Sequence, residues 1–461
     1  MAEYDREAAV MNIAWFTPYQ QGSAIAKFSS LVVPALAARG HSITLFSSDR
    51  QPPIEHRRLP EGIELLHWSL FETAPEVADA YDLIVYNVGD QPEYHFGVLK
   101  LIDRYTGVCI FHDFYLVDLF LGWCATEIEK PLAHFIVASI YGEEIAKEFW
   151  ARIGQPDFQN WAASHVPMTE WVARKALAAV AHAPFYKQRL AGSSAGPVRV
   201  IPLASNAPAN VVSIRDKNGP VRILTVGVVN PNKRVEAVIN AVAGSPALRS
   251  RCEYNIVGRI EPSYRAGLQS LIADLGLQDA VHVHGEVSDF ELHSRFAEAD
   301  VLACLRWPAL EGASGSCIEA MSYGKAVIVT DTGFYSSIPS DCVLKVSLAC
   351  EARELAQHLE MIIIDVNERD ALGKRALDWA RREYAPETYA ERIEPLLEAA
   401  AEERPSADAL KQIGLALRAM GVQHDDPLVN RVGSEFRTLF CEVPRKESDA
   451  LESRRSAVSN R

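Results

Sequence analysis

Residues 305–333 read LRWPALEGASGSCIEAMSYGKAVIVTDTG. An apolar strand ends near Leu305, a short loop of glycine and serine follows, a helix runs to Gly324, and a second apolar strand ends in a turn at Gly333. Strand, loop, helix and strand in that order form the repeating unit of a parallel, doubly wound α/β sheet. Gly312, Ala313, Ser314, Gly315 and Ser316 put small side chains where the first N–H groups of the helix are open, a geometry suited to cradling a diphosphate. Glu311 stands before this loop and Glu319 lies inside the helix, so the loop keeps them from forming a close carboxylate pair. The plainer reading of the two is a solvated glutamate and one placed by the helix dipole.

The alternation continues in both directions. Apolar runs at 221–226, 253–257, 280–284, 301–305, 326–330 and 342–346 are separated by helical stretches. An earlier series comprises 12–16, 42–46, 83–86, 107–111, 178–181 and 198–201, with a helix expected over about 29–38. Buried strands alternating with helices predict parallel sheets covered on both faces. Between the two series, after Pro202, lies a segment rich in Ala, Asn, Ser and Pro that ends at Gly219-Pro220 and has the composition of a linker. The expected organisation is a first Rossmann-like domain over 11–203, a linker over 204–220, a second over 221–378, helices over 379–440 and a frayed, solvated tail over 441–461. Both sheets would open onto one central cleft beyond the carboxyl ends of their strands.

The length, 461 residues, exceeds what one core usually supports, in keeping with two domains. Hydrophobic residues make up 48% and charged residues 23%, an ordinary globular balance. A formal charge of -14 lacks the basic footprint of a nucleic-acid binder. The eight cysteines (109, 124, 252, 304, 317, 342, 350 and 441) have no CxxC spacing and read as buried free thiols of a reducing compartment. The first ten residues carry four charges and no signal-peptide core, and no later run approaches the length of a membrane span, so the expectation is a cytoplasmic protein.

Glu311, Glu319, Ala320, Met321 and Gly324, with Asp331 and Gly333, form a pattern longer than a lone motif, and in it the chain resembles the family-4 retaining glycosyltransferases. The resemblance extends through TVGVVNPNKR (225–234), IVGRIEP (256–262), the stretch 275–300 and FTPYQQGSAIAKFSSLVVPALAARGH (16–41), covering about 11–397. It implies a GT-B fold: two doubly wound Rossmann-like domains facing a central cleft, here with a C-terminal helical extension. By the same resemblance Glu311 faces the donor sugar, Glu319 holds the nucleotide ribose, and Lys233 neutralises phosphate, where a surface lysine is the plainer alternative. The family often has Gly-Arg where this chain has Gly227-Val228, so one phosphate cation is missing. Arg234, Arg259 or Arg306 would have to compensate, with Arg306 favoured because it adjoins the Glu311 loop.

In the first domain His112-Asp113 follow an apolar strand, where the family places a histidine near the reacting sugar. Gly22, with Ser23, matches the family's small-residue loop; GxGxxG is absent. Asn87, Asp90, Asp113 and His182 are weaker candidates for acceptor contacts, equally readable as turn or satisfied polar groups. Between 171 and 214 stand five basic residues (Arg174, Lys175, Lys187, Arg189 and Arg199) and no acidic one, the asymmetry of a face resting on anionic lipid or of an ordinary solvated face.

The function expected from the resemblance is retaining transfer of a sugar from a UDP- or GDP-type nucleotide diphosphate-sugar to a saccharide or lipid-linked saccharide, in cell-surface polysaccharide synthesis at the inner face of the membrane. The chain contains no Asp-x-Asp, so charge on the departing diphosphate would be met by Lys233, an arginine and helix N-terminal amides, without metal or cofactor. The competing readings are a nucleotide-sugar epimerase or a phosphorylase on the same scaffold, and a catalytically weak subunit that binds a glycan or a partner enzyme.

Overall fold

The computed structural model describes residues 10–206, 219–423 and 426–440. Most of the expected linker, the expected tail and the first nine residues lie outside the described residues. The first sheet contains β1 (Asn12–Thr17), β2 (Ser42–Ser47), β3 (Leu65–His67), β4 (Leu83–Val88), β5 (Val108–Phe111), β6 (Ala178–Ala181) and β7 (Val198–Val200). Their order is β3-β2-β1-β4-β5-β6-β7, and every pairing is parallel. The second contains β8 (Val221–Val226), β9 (Cys252–Val257), β10 (Val281–Gly285), β11 (Val301–Cys304), β12 (Ala326–Thr330) and β13 (Leu344–Val346). It runs β10-β9-β8-β11-β12-β13, again all parallel. This is the GT-B architecture.

Strand order reverses at β1/β4 in the first sheet and at β8/β11 in the second, and these switch points are where ligands of open α/β sheets bind. The strand not foreseen, β3, is a half-buried edge segment of three residues, too short for an alternation to declare itself. The first helix spans Ala24–Ala37, several residues earlier than expected, because Ser23 caps it by accepting from Ala26 N.

The C-terminal pattern resolves into a helix at Val366–Glu383, a 34-residue helix at Pro386–Ala419 that continues through Pro395 and Pro405, and a further helix at Pro427–Phe440. Each internal proline forfeits a backbone hydrogen bond. The helix persists because Tyr389, Ile393, Leu396, Leu397 and Ala400 are buried in the same core as Trp15, Phe28 and Val32 of the first domain. Glu394 fixes this return, meeting His41 Nε2 at 3.0 Å and pairing with Arg39. The seven described cysteines are free thiols; five are buried, while Cys124 and Cys350 are only partly so. Among the described residues no helix is long and apolar enough to cross a membrane.

Candidate active site

The two domains are joined by backbone where the loop after β11 meets the loop after β5. Gly312 N donates to His112 O at 2.8 Å, Phe114 N and Tyr115 N both donate to Leu310 O, and Asp113 and Glu311 form an antiparallel bridge. A Cβ on residue 312 would lie 2.7 Å from His112 O and 2.6 Å from Tyr186 Oη, so glycine is what lets the main chains approach.

On the second domain's side, Arg306 leaves β11 buried, with Nε donating to Glu311 Oε1 at 2.6 Å and Nη1 to Leu305 O at 2.7 Å. Burial works against the Glu311 carboxylate, but Arg306 and Lys233 beside it outweigh burial and hold its pKa below the usual value. Lys233 is also buried, and its Nζ donates to Val226 O at 2.7 Å. Burial first, and the Arg306 charge second, push its pKa down to about 7. Gly227, at φ +101, would place a Cβ 3.0 Å from this ammonium. Asn232 ties the lysine's loop to the Arg306 loop through Trp307 N and Pro308 O.

The helix that follows is Gly315–Ser322, capped by Ser314, whose Oγ accepts from Cys317 N. Gly315 is exposed and Ser316 partly so, at positions whose N–H groups have no carbonyl a turn earlier. Glu319 does not point back to Glu311. It meets Lys27 of the first domain, Nζ to Oε1 3.4 Å.

On the first domain's side the polar residues form a buried relay. Asn87 Nδ2 donates to Phe16 O, Asn87 Oδ1 faces His112 Nε2 at 2.9 Å, His112 Nδ1 faces His182 Nε2 at 3.3 Å, and His182 Nδ1 lies 2.9 Å from Ile201 O. Because both ends terminate on carbonyls, two neutral histidines are left with lone pairs facing each other across the longest link. Burial, then the neighbouring His182 and His95, keep His112 well below its ordinary pKa, and burial lowers His182 to about 4, so the pair is neutral at pH 7. Phe28 packs edge-on against both rings.

The expected groups therefore separate. Lys233, Arg306 and Glu311 come together, with Gly227 against Lys233 and Gly312 against His112. Arg306, expected at the phosphates, is the counter-ion of Glu311 in this conformation. Both ring nitrogens of His112 face groups of the first domain, and it meets the loop after β11 through its carbonyl. Asn87 and His182 stand behind it, while Asp90 is turned onto Leu119 N at 3.0 Å. Asp113 Oδ2 accepts from Asp90 N, and burial pushes Asp113 up to about 7. Gly22 is exposed with nothing within 4 Å of a built Cβ. Of the basic face, Lys175 pairs with Asp103 and Arg189 with Glu170. A cavity of about 960 Å³ lies elsewhere, beside the long helix, and none of the expected site residues lines it.

Sequence reading missed Tyr186, whose hydroxyl donates to Phe111 O and accepts from His182 N, and Lys27. A signal for Lys27 existed: it is the single charged residue of the Ala24–Ala37 helix.

Known proteins agree with this architecture. Residues 209–379 match the model of the Glycosyl transferases group 1 family. Among solved structures, a glycosyltransferase from Rickettsia africae superposes with a TM-score of 0.56 at 15% identity, over 85% of this chain and 98% of that one. HepE of Anabaena, in complex with UDP-glucose, gives 0.55 at 17% identity over 84% and 100%. Sucrose-phosphate synthase from Thermosynechococcus elongatus gives 0.54 at 19% identity over 84% and 98%. The chain thus has the GT-B fold, and within it the segment 209–379 is similar to the Glycosyl transferases group 1 family. An MMP alpha-(1->4)-mannosyltransferase of Mycolicibacterium hassiacum is 34% identical over 121 residues, 25% of this chain. That match spans 28% of the relative's length.

Proposed function

We propose that this chain is a retaining, metal-independent hexosyltransferase that moves a sugar from a UDP- or GDP-type nucleotide diphosphate-sugar to a saccharide or lipid-linked saccharide. The observation that carries the reading is the cluster of Lys233, Arg306 and Glu311 beside the open start of the Gly315–Ser322 helix, opposite the His112 loop. Fixed cations and helix amides at one point suit a leaving diphosphate, whose charge grows as the bond to the sugar breaks. Lys233 acts on that charge, Glu311 faces the sugar, and Glu319 takes the ribose. His112, through its carbonyl, holds the donor loop in register with the acceptor side. The group 1 family match and the partial likeness to a mannosyltransferase support a hexose donor. Work on cell-surface glycans at the inner face of the membrane is the setting this reading fits, with Lys187 and Arg199 as the bases that would meet anionic lipid.

The test is sugar transfer, or donor hydrolysis without acceptor, in the presence of EDTA. Activity that survives the chelator is expected; complete loss restored by manganese or magnesium overturns the metal-independent mechanism. The second reading, a chain that binds donor without turning it over, is favoured by Val228, which stands half exposed where the family often has arginine. Nucleotide binding with no hydrolysis or transfer of any donor would select it.

A further inference from the structure

Among the described residues, several cations near the expected diphosphate are already committed. Lys233 is buried on Val226 O, Arg306 holds Glu311, and Arg234 is bound by both carboxylate oxygens of Glu351. Lys27 is placed differently. It projects from the first domain across the cleft, its side chain is 44% exposed, and among the described residues its ion pair is with Glu319, itself 18% exposed. Glu319 sits four residues after Gly315, so it lies ~6 Å along the axis from the first open amide of its helix. An ammonium held at Glu319 is therefore about one helical turn from the point where a diphosphate would rest. The lysine stem is flexible and its three donors can be redirected without moving the backbone.

Resting on the donor reading above, we infer that Lys27 is a donor-binding residue: when the ribose hydroxyls take Glu319, Lys27 transfers to the diphosphate and supplies from the other domain the cation that Val228 cannot. The transfer gives up a long, part-exposed ion pair with a single carboxylate for contact with a more highly charged diphosphate, so Glu319 is freed for the ribose and the lysine gains in the exchange. A nucleoside without phosphates, by contrast, competes with Lys27 for Glu319 and gives the lysine nothing in return. Because the cation comes from the first domain, diphosphate binding also draws the two domains together.

The experiment is calorimetric titration of the full chain with UDP, GDP and ADP, and with uridine, guanosine and adenosine, for wild type, Lys27→Met, Lys27→Arg and Arg259→Met. Arg259 is the exposed cation of the loop after β9 and serves as the comparison. Lys27→Met should weaken the preferred diphosphate about tenfold or more, the worth of one charge-assisted hydrogen bond. It should leave nucleoside affinity unchanged or tighter, and Lys27→Arg should recover most of the loss. Equal or tighter diphosphate binding by Lys27→Met, or a loss confined to Arg259→Met, overturns the assignment of Lys27 alone. A wild-type chain that binds none of the three diphosphates overturns the donor reading along with it.

Discussion

Glu311 and Asp113 face each other as bridge partners between the two domains, and burial acts on the two carboxylates with opposite outcomes. Glu311 has Arg306 and Lys233 beside it and stays ionised below the usual range. Asp113 has the N–H of Asp90 and the like charge of Glu311, and is pushed up to about 7. The difference extends outward: the second domain's side is built from paired charges, the first domain's side from a neutral relay of Asn87, His112 and His182. A diphosphate needs fixed cations already in place, whereas a saccharide needs oriented hydrogen-bonding groups without net charge.

The strongest way to break the contrast is to remove a charge from the donor side. Lys233→Ala should lower donor affinity and turnover together, by on the order of 10²-fold combined, measured by steady-state kinetics. Glu311→Ala should depress turnover and also leave the buried Arg306 guanidinium without its partner. That loss should destabilise the fold by about 3 kcal/mol in urea unfolding, near the lower end for a broken buried pair because Glu311 is 35% exposed. Glu311→Gln, which keeps a hydrogen-bond acceptor for Arg306, should recover much of the stability but not the turnover.

The junction itself comes next. Gly312→Ala forces a methyl into His112 O and Tyr186 Oη and should cost about 1–3 kcal/mol while slowing transfer. Gly315→Ala, which meets nothing within 4 Å, should fold normally. Equal thermal stability of the two variants would contradict the direct backbone contact between domains.

A smaller effect concerns pH. Lys233, held near 7 without ligand, becomes increasingly neutral as pH rises through 7, and a bound diphosphate favours its ammonium form. Donor binding at pH 8 should therefore take up protons and weaken with further rise in pH. Titration in buffers of different ionisation heat reads this directly, and proton release would have the wrong sign. The smallest effect lies on the acceptor side. Asp113 has a folded-state pKa above its usual value near 4, so its contribution to stability is fully present below about 4 and is lost progressively as pH rises from there to about 7. Asp113→Asn should raise the melting temperature relative to wild type at pH 8 and give no such gain at pH 4.

The same contrast explains what the sequence could reveal. Buried strands such as 326–330 and 221–226 declare themselves as apolar runs, and the small residues after Glu311 mark the start of the Gly315–Ser322 helix. Pairing across the chain does not. Nothing local tells that His112 turns its nitrogens toward Asn87 and His182, or that Lys27 reaches a glutamate 292 positions away. The two prolines of the long helix argue locally for interruption, and only its burial against the first domain's core overrides them.

The central claim, that Glu319 holds the nucleotide while Glu311 serves the reacting sugar, is tested most directly by titrating Glu311→Ala and Glu319→Ala with the preferred nucleoside diphosphate beside their turnover at saturating donor. Glu319→Ala should lose about 1–3 kcal/mol of nucleotide affinity and comparatively little turnover, and Glu311→Ala the reverse. Near-normal turnover in Glu311→Ala, or a greater loss of nucleotide affinity there than in Glu319→Ala, would contradict it.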